Sequence, residues 1–278
     1  MIATGASGER PLDGVIAKLV RAQDHVDAFT QAYRDAIDAD PVGFELAPGA
    51  SVGELVARVE YVPALPPAVG VRLGDALHNF RSSLDHLVWQ LAVLNTPEPF
   101  DKTQFPIADT PEEFSRQGWR IPDLRDEHRN LVEHFQPYNR GGDASPLEQL
   151  RDLSNTDKHR VINPMLVTPT LVGIDFTASN CTVEEVTPLS GYALQVGTAF
   201  ARIRVPPECT DPRVQMSGHL IPDVMLDSQS SLELLRRIGA EIVMIAQEAE
   251  RDLEPRPLLT RSPRRWPSFS TYPFVRPD

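Results

Sequence analysis

The side chains best suited to chemistry lie together on one predicted helix, Gly74 to Asn95, which reads GDALHNFRSSLDHLVWQLAVLN. At about 100° per residue its leucines take one side, and the remaining polar positions fall into two stripes. One stripe carries His78, Arg81, Asp85 and Trp89; the other carries Asp75, Asn79, Ser82, His86 and Gln90. A solvated helix face is ordinarily rich in Glu, Lys and long Arg side chains, whereas this one has no Glu or Lys and uses short hydrogen-bonding groups. The expectation is therefore a covered face, buried at its most important site. Imidazole exchanges protons near neutral pH. Arg81 and Asp85 stand one turn apart, with His78 a turn before Arg81, so the first stripe could also satisfy itself as a buried network.

A second cluster, Asp157, Lys158, His159 and Arg160, ends a predicted helix. Basic residues there favour the negative end of the helix dipole, which is a sufficient local reason for them. Lys158 is one of only three lysines in the chain, which keeps open a role shared with the polar helix. His78 and Asp85 with Asp157 and His159 have ligand chemistry for a divalent cation, but no spacing requires one, and no metal or cofactor is expected. His128 and His134 point in different directions from a predicted helix and read as surface residues beside Glu127 and Glu133. His25 and His219 carry no assigned role.

The elements that must position these groups are legible as seams. Leu12, Val15, Leu19, Ala22, Val26, Phe29, Tyr33 and Ala36 alternate spacings of three and four, as in a helix packed along another helix. The alternation recurs at Leu77, Phe80, Leu84, Leu87, Leu91 and Leu94, and at Leu235, Ile238, Ile242, Ile245 and Ala249 within Ser228 to Leu253. Three long seams predict an antiparallel helical bundle. Shorter helical patterns occur near Pro111 to Gln117, Asp123 to Phe135 and Pro146 to Thr156, after a proline-punctuated connection containing Phe105 to Ile107. Pro66 and Pro67 open the polar helix, since proline is tolerated in a first turn.

Strand patterns complete the outline. Leu55 to Tyr61 reads as a strand, paired with Gly43 to Leu46 across Pro48 and Gly49. Met165 to Phe176, Cys181 to Val186, Tyr192 to Val205 and Val214 to Ile221 are rich in valine, threonine and isoleucine and predict a small antiparallel sheet. The fold class is α+β, mostly helical. Residues 1–160 are expected to form the helical bundle with a short hairpin near 43–61, residues 161–222 an antiparallel β lobe, residues 223–254 a helix returning to the bundle, and residues 255–278 a Pro/Arg/aromatic tail. That tail holds Arg261, Arg264, Arg265, Trp266, Phe269, Tyr272 and Phe274, which could dock on their own domain or meet a partner.

Arg81-Ser82-Ser83-Leu84-Asp85-His86 resembles the Arg-x4-6-His signature of the HEPN superfamily, helical proteins that include metal-independent ribonucleases of toxin and defence systems as well as non-catalytic members. The resemblance covers six residues on one helix. It implies a homodimer whose motif helices face each other, with Arg81 steadying a phosphate, His86 transferring a proton while an RNA 2′-hydroxyl attacks, and Ser82 filling the polar position after the arginine. The remaining helix polar groups (His78, Asn79, Asp85, Trp89) and the cluster Asp157, Lys158, His159 and Arg160 would support that site. Arg81 and His86 stand about 140° apart on a regular helix, so one helix cannot aim both at one atom without long side chains or a dimer mate.

Composition limits the alternatives. A net charge of −12 argues against a general basic surface that coats nucleic acid. Only the tail is basic. Cys181 and Cys209 lie in no CxxC spacing and read as reduced, small apolar residues, with a pairing between them left open. The first residues have no basic start or apolar stretch, and no later run is long enough to span a bilayer, so a cytoplasmic protein without membrane contact is expected. The sequence contains no GxGxxG, GxxxxGK[ST], GxSxG or HExxH pattern. Two readings follow: a HEPN-like dimeric protein that cleaves or binds RNA, and a non-enzymatic helical interaction or scaffold protein whose His/Asp/Arg cluster is a buried structural network.

Overall fold

The computed structural model describes residues 10–140, 145–158, 165–167, 175–189, 195–217, 223–226, 229–253 and 265–269. The chain is α+β. Among the described residues there are six helices, α1 (Asp13–Ala39), α2 (Pro67–Val93), α3 (Pro111–Arg116), α4 (Asp126–His134), α5 (Pro146–Asp157) and α6 (Ser231–Leu253), with two short 3-10 turns and nine strands. No described helix is long and apolar enough to cross a membrane. Tertiary contacts divide the chain into two compact units. One comprises Met1–Phe29, Gly70–Ile162 and Leu232–Asp278; the other comprises Thr30–Val69 and Asn163–Ser231.

In the first unit the predicted seams run along buried lines, except that Leu94, the last member of the second seam, is half-buried. Leu12, just before α1, and Val15, Leu19, Ala22, Val26 and Phe29 of α1 are buried, as are Leu77, Phe80, Leu84, Leu87 and Leu91 of α2 and Leu235, Ile238, Ile242, Ile245 and Ala249 of α6. Helix α2 starts at Pro67, where the proline lacks only an N–H that a first turn leaves unpaired. A β-carbon on Gly14 would lie 3.1 Å from His86 Nδ1, and His25 Nδ1 is 3.8 Å from Asp75 Oδ2. These two contacts set α1 antiparallel to α2. On the other side of α2, Phe269 of the tail lies against Phe80, with ring centroids 5.5 Å apart. Phe269 also covers Gly239 of α6, where a β-carbon would come within 2.6 Å of its ring. The described part of the tail thus docks an aromatic on its own unit.

Helix α3 is capped by Thr110, whose side chain accepts a hydrogen bond from Glu113 N, and has Pro111 in its first turn. The histidine pair on α4 corrects the expectation of two surface residues. His134 is exposed, but His128 is only 1% exposed, with Nε2 3.4 Å from the Asp252 carboxylate. Sequence spacing could not see the partner because Asp252 arrives from α6.

The second unit holds the strands. Strands β1 (Gly43–Pro48) and β2 (Glu54–Tyr61) form the expected hairpin, and β2 pairs onward with β6 (Ala199–Arg204), which pairs with β5 (Glu185–Pro188), giving the order β1-β2-β6-β5. Three strands, β3 (Met165–Val167), β8 (Asp223–Leu226) and β9 (Gln229–Ser230), form a second sheet, and β4 (Asp175–Ala178) pairs with β7 (Val214–Ser217) in a third. Two expectations are corrected here. The hairpin near 43–61 is part of the same sheet as strands from 161–222, and among the described residues the strands there belong to three small sheets instead of one. Phe44 packs edge-on against Phe200 at 5.0 Å, and Val56, Ala57, Val59, Phe200, Ala201 and Ile203 are buried. Runs rich in β-branched residues had marked the lobe as strands, but such composition leaves the pairing partner of each strand unspecified. Gly53 closes the turn between β1 and β2 at φ +78°, a left-handed conformation suited to glycine, with its carbonyl accepting from Val205 N at 2.8 Å.

Candidate functional site

The polar helix divides into a covered flank and an open stripe. On the covered flank, Arg81 and Asp85 form the ion pair that their spacing allows, Nη2 to Oδ1 at 3.1 Å. Both are mostly buried, and both are committed to the backbone of one residue, Phe105. Asp85 Oδ1 accepts from Phe105 N at 2.9 Å, while Arg81 Nη2 donates to Phe105 O. Burial pulls Arg81 below its ordinary value and neighbouring Arg120 adds to this, against the opposing pull of Asp85.

The clamped peptide begins a buried connection, Phe105 to Ala108, that has no regular structure of its own. Every buried backbone N–H and C=O needs a partner, and here side chains supply them. Gln136, which is 0% exposed, accepts from Ala108 N at 2.9 Å through Oε1 and donates through Nε2 to Pro106 O at 3.0 Å and Val132 O at 2.9 Å. Gln117 Nε2 donates to Ile107 O at 3.1 Å. Gln117 and Gln136 were not singled out from the sequence. A glutamine that replaces a strand partner carries no periodic signal; only the buried FPIA segment, with two apolar neighbours and no strand to pair with, hints that such partners must exist.

The open stripe runs through Val71, Asp75, His78, Ser82, His86, Trp89 and Val93. Ser82 is half-buried and the other six are exposed. The expectation of a covered face is thus corrected: Asn79 and the Arg81–Asp85 pair are covered, whereas Asp75, His78, His86 and Trp89 face outward. Asn79 Nδ2 donates to Asp75 O at 2.8 Å and so spends its amide within the helix. His86 makes no hydrogen bond or ion pair among the described residues and rests beside Gly14 of α1.

One end of the stripe gathers titratable groups. Asp157, at the end of α5, lies so close to Gly74 that a β-carbon there would overlap its carboxylate. Burial pushes Asp157 above the usual carboxylate range, Asp75 pushes it further, and His78 opposes both. His25, given no role from the sequence, joins this group through Asp75. Lys158 caps α5 with its N–H on Ser154 O at 3.3 Å and has an exposed side chain. His159, Arg160 and His219 lie outside the described residues. The imagined convergence of His78, Asp85 and Asp157 does not occur, because Asp85 turns to Phe105 while His78 and Asp157 meet near Asp75. Among the described residues no group of three or more His, Cys, Asp or Glu side chains could hold a metal ion.

Chemically, the two halves of the candidate motif have different occupations. Arg81 holds a loop; His86 makes no polar contact among the described residues. No family model, curated protein or solved structure matches this chain.

Proposed function

We propose that this chain is a non-enzymatic interaction protein that works as a homodimer, joined through the open stripe of α2, and that Arg81 and Asp85 are a structural clamp. The observation that carries the reading is the pair of hydrogen bonds that Arg81 and Asp85 make to the backbone C=O and N–H of Phe105, which commits Arg81 Nη2 and Asp85 Oδ1 to the fold. Three features support the stripe as the contact. Its flanks are large exposed apolar side chains, Val71 at 50%, Trp89 at 37% and Val93 at 41%. Between them lie only short polar groups, which cost little to desolvate when paired.

The third is self-complementarity. Counted from Val71, the stripe advances by four, three, four, four, three and four residues, a pattern that reads the same in both directions about Ser82. A two-fold axis at Ser82 would lay two α2 helices antiparallel, with Val71 facing Val93, Asp75 facing Trp89 and His78 facing His86 of the second copy. Asp75 would then lie one turn from the opposing His86, an arrangement of complementary charge when that imidazole is protonated. Within each subunit we further assign α1, α2 and α6 to an antiparallel bundle, supported by the antiparallel contacts of α1 with α2 and by Phe269 between α2 and α6.

A second reading has one observation in its favour. His86 and His78 are exposed on the same stripe, so a HEPN-like dimer could bring two imidazoles to one RNA phosphodiester, with Lys158 nearby as a cation. The net charge of −12 weighs against it.

Light scattering of the full chain separates the readings. The expected mass is that of a dimer, which Ser82→Arg converts to a folded monomer whose melting temperature no longer depends on protein concentration. A monomeric wild type overturns the dimer. RNA cleavage by wild type in the presence of chelator, abolished by His86→Ala with folding intact, would replace the interaction reading with the enzymatic one.

A further inference from the structure

Strand β4 leads to β5 through residues 179–184, and β6 leads to β7 through residues 205–213. Because β4 pairs with β7 while β5 pairs with β6, both connectors bridge the same two sheets and run side by side in opposite directions. Hydrogen bonds tie them together. Ser179 N donates to Arg213 O at 3.1 Å, Asn180 Nδ2 donates to Asp211 O at 2.7 Å, and Arg213 N donates to Asn180 Oδ1 at 2.9 Å. At the far end Glu184 N donates to Arg204 O at 2.8 Å.

Cys181 sits between those two pinned ends. Cys209 lies on the opposite connector, with its N–H on Pro206 O at 2.9 Å, and bends at residues 210 and 211 turn the chain there. The thiols are neighbours: hydrogen bonding to Cys209 makes the Cys181 proton harder to remove and pushes its pKa up to about 11. Both are free and partly exposed, unlike cysteines that serve as small core residues.

We propose that Cys181 and Cys209 are a redox dithiol that closes to an intramolecular disulfide by exchange with a small-molecule disulfide, stapling the two connectors that join these sheets. In the first step one cysteine thiolate attacks a sulfur of the small disulfide, forming a mixed disulfide and releasing one small thiolate. The second cysteine, as thiolate, then attacks the protein-bound sulfur, closing the bridge and releasing the second small thiolate. Two protein thiols are oxidised, one disulfide is reduced, and the two cysteine protons end on the released thiols. The two residues lie 28 positions apart in sequence and enclose β5 and β6, so the bridge restricts a sizeable loop of the unfolded chain.

The full-length protein, incubated with graded ratios of oxidised to reduced glutathione and quenched with acid, tests this by intact mass and peptide mapping. The expected product is lighter than the reduced chain by two hydrogens and yields a linked peptide containing Cys181 and Cys209. Cys181→Ser and Cys209→Ser should instead each retain one glutathione. A wild type that accumulates glutathione adducts without a linked peptide, or that stays fully reduced in oxidised glutathione alone, overturns the proposal. Melting curves of the untreated single variants, expected to match reduced wild type, separate loss of the bridge from loss of the fold.

Discussion

The two sides of helix α2 carry similar residue types and have opposite fates. Toward Phe105, Arg81 and Asp85 close on a peptide that has no strand to pair with; toward the open stripe, His78 and His86 meet no such backbone. What lies across from a polar side chain, more than the side chain itself, decides whether it acts as structure or as surface. The buried connection Phe105 to Ala108 demands donors and acceptors, and α2 supplies the pair best shaped for it: a guanidinium that donates and a carboxylate that accepts.

The covered side should break first. Gln136→Leu leaves Ala108 N–H and Pro106 C=O without their buried partner and should cost about 3 kcal/mol in urea denaturation. A variant as stable as wild type would show that this connection does not need its side-chain partners. Asp85→Ala comes next, at about 2 kcal/mol, because it orphans the Phe105 N–H and leaves Arg81 uncompensated in a mostly buried place. Retention of full stability would return Asp85 to the open category.

The smallest effect lies at the edge of the open stripe. The folded-state value of Asp157 is raised, chiefly by burial, so its charged form is disfavoured in the folded protein. Its stability contribution is therefore best at low pH and is lost as pH rises through the folded value. Asp157→Asn should raise the melting temperature at neutral pH, and the gain should shrink as pH falls through the carboxylate range. A gain that is independent of pH, or a loss at neutral pH, would remove the electrostatic explanation.

Much of the fold was legible because helical burial repeats. The seams from Leu12 to Tyr33, Leu77 to Leu91 and Leu235 to Ala249 are buried, while the predicted end members Ala36 and Leu94 are half-buried, and the hairpin of β1 with β2 followed from a strand pattern on either side of Pro48 and Gly49. Pairing of β2 with β6 did not, since the two are separated by most of the helical segment and nothing local specifies the match. The Arg81–Asp85 ion pair was legible from spacing. Its target was not, because a peptide in an irregular connection has no sequence signature. For the same reason His128 was misplaced and Gln136 went unseen: each is defined by a partner distant in sequence.

Arg81 should support the fold, and His86 should not. Urea denaturation of Arg81→Ala and His86→Ala, each compared with wild type in a monomeric Ser82→Arg background, measures that contrast directly. Arg81→Ala should lose about 2 kcal/mol through the unpaired Phe105 carbonyl, and His86→Ala should stay within about 0.5 kcal/mol. Equal stability of the two, with Arg81→Ala unfolding like its parent, would contradict the clamp and return Arg81 to the open surface.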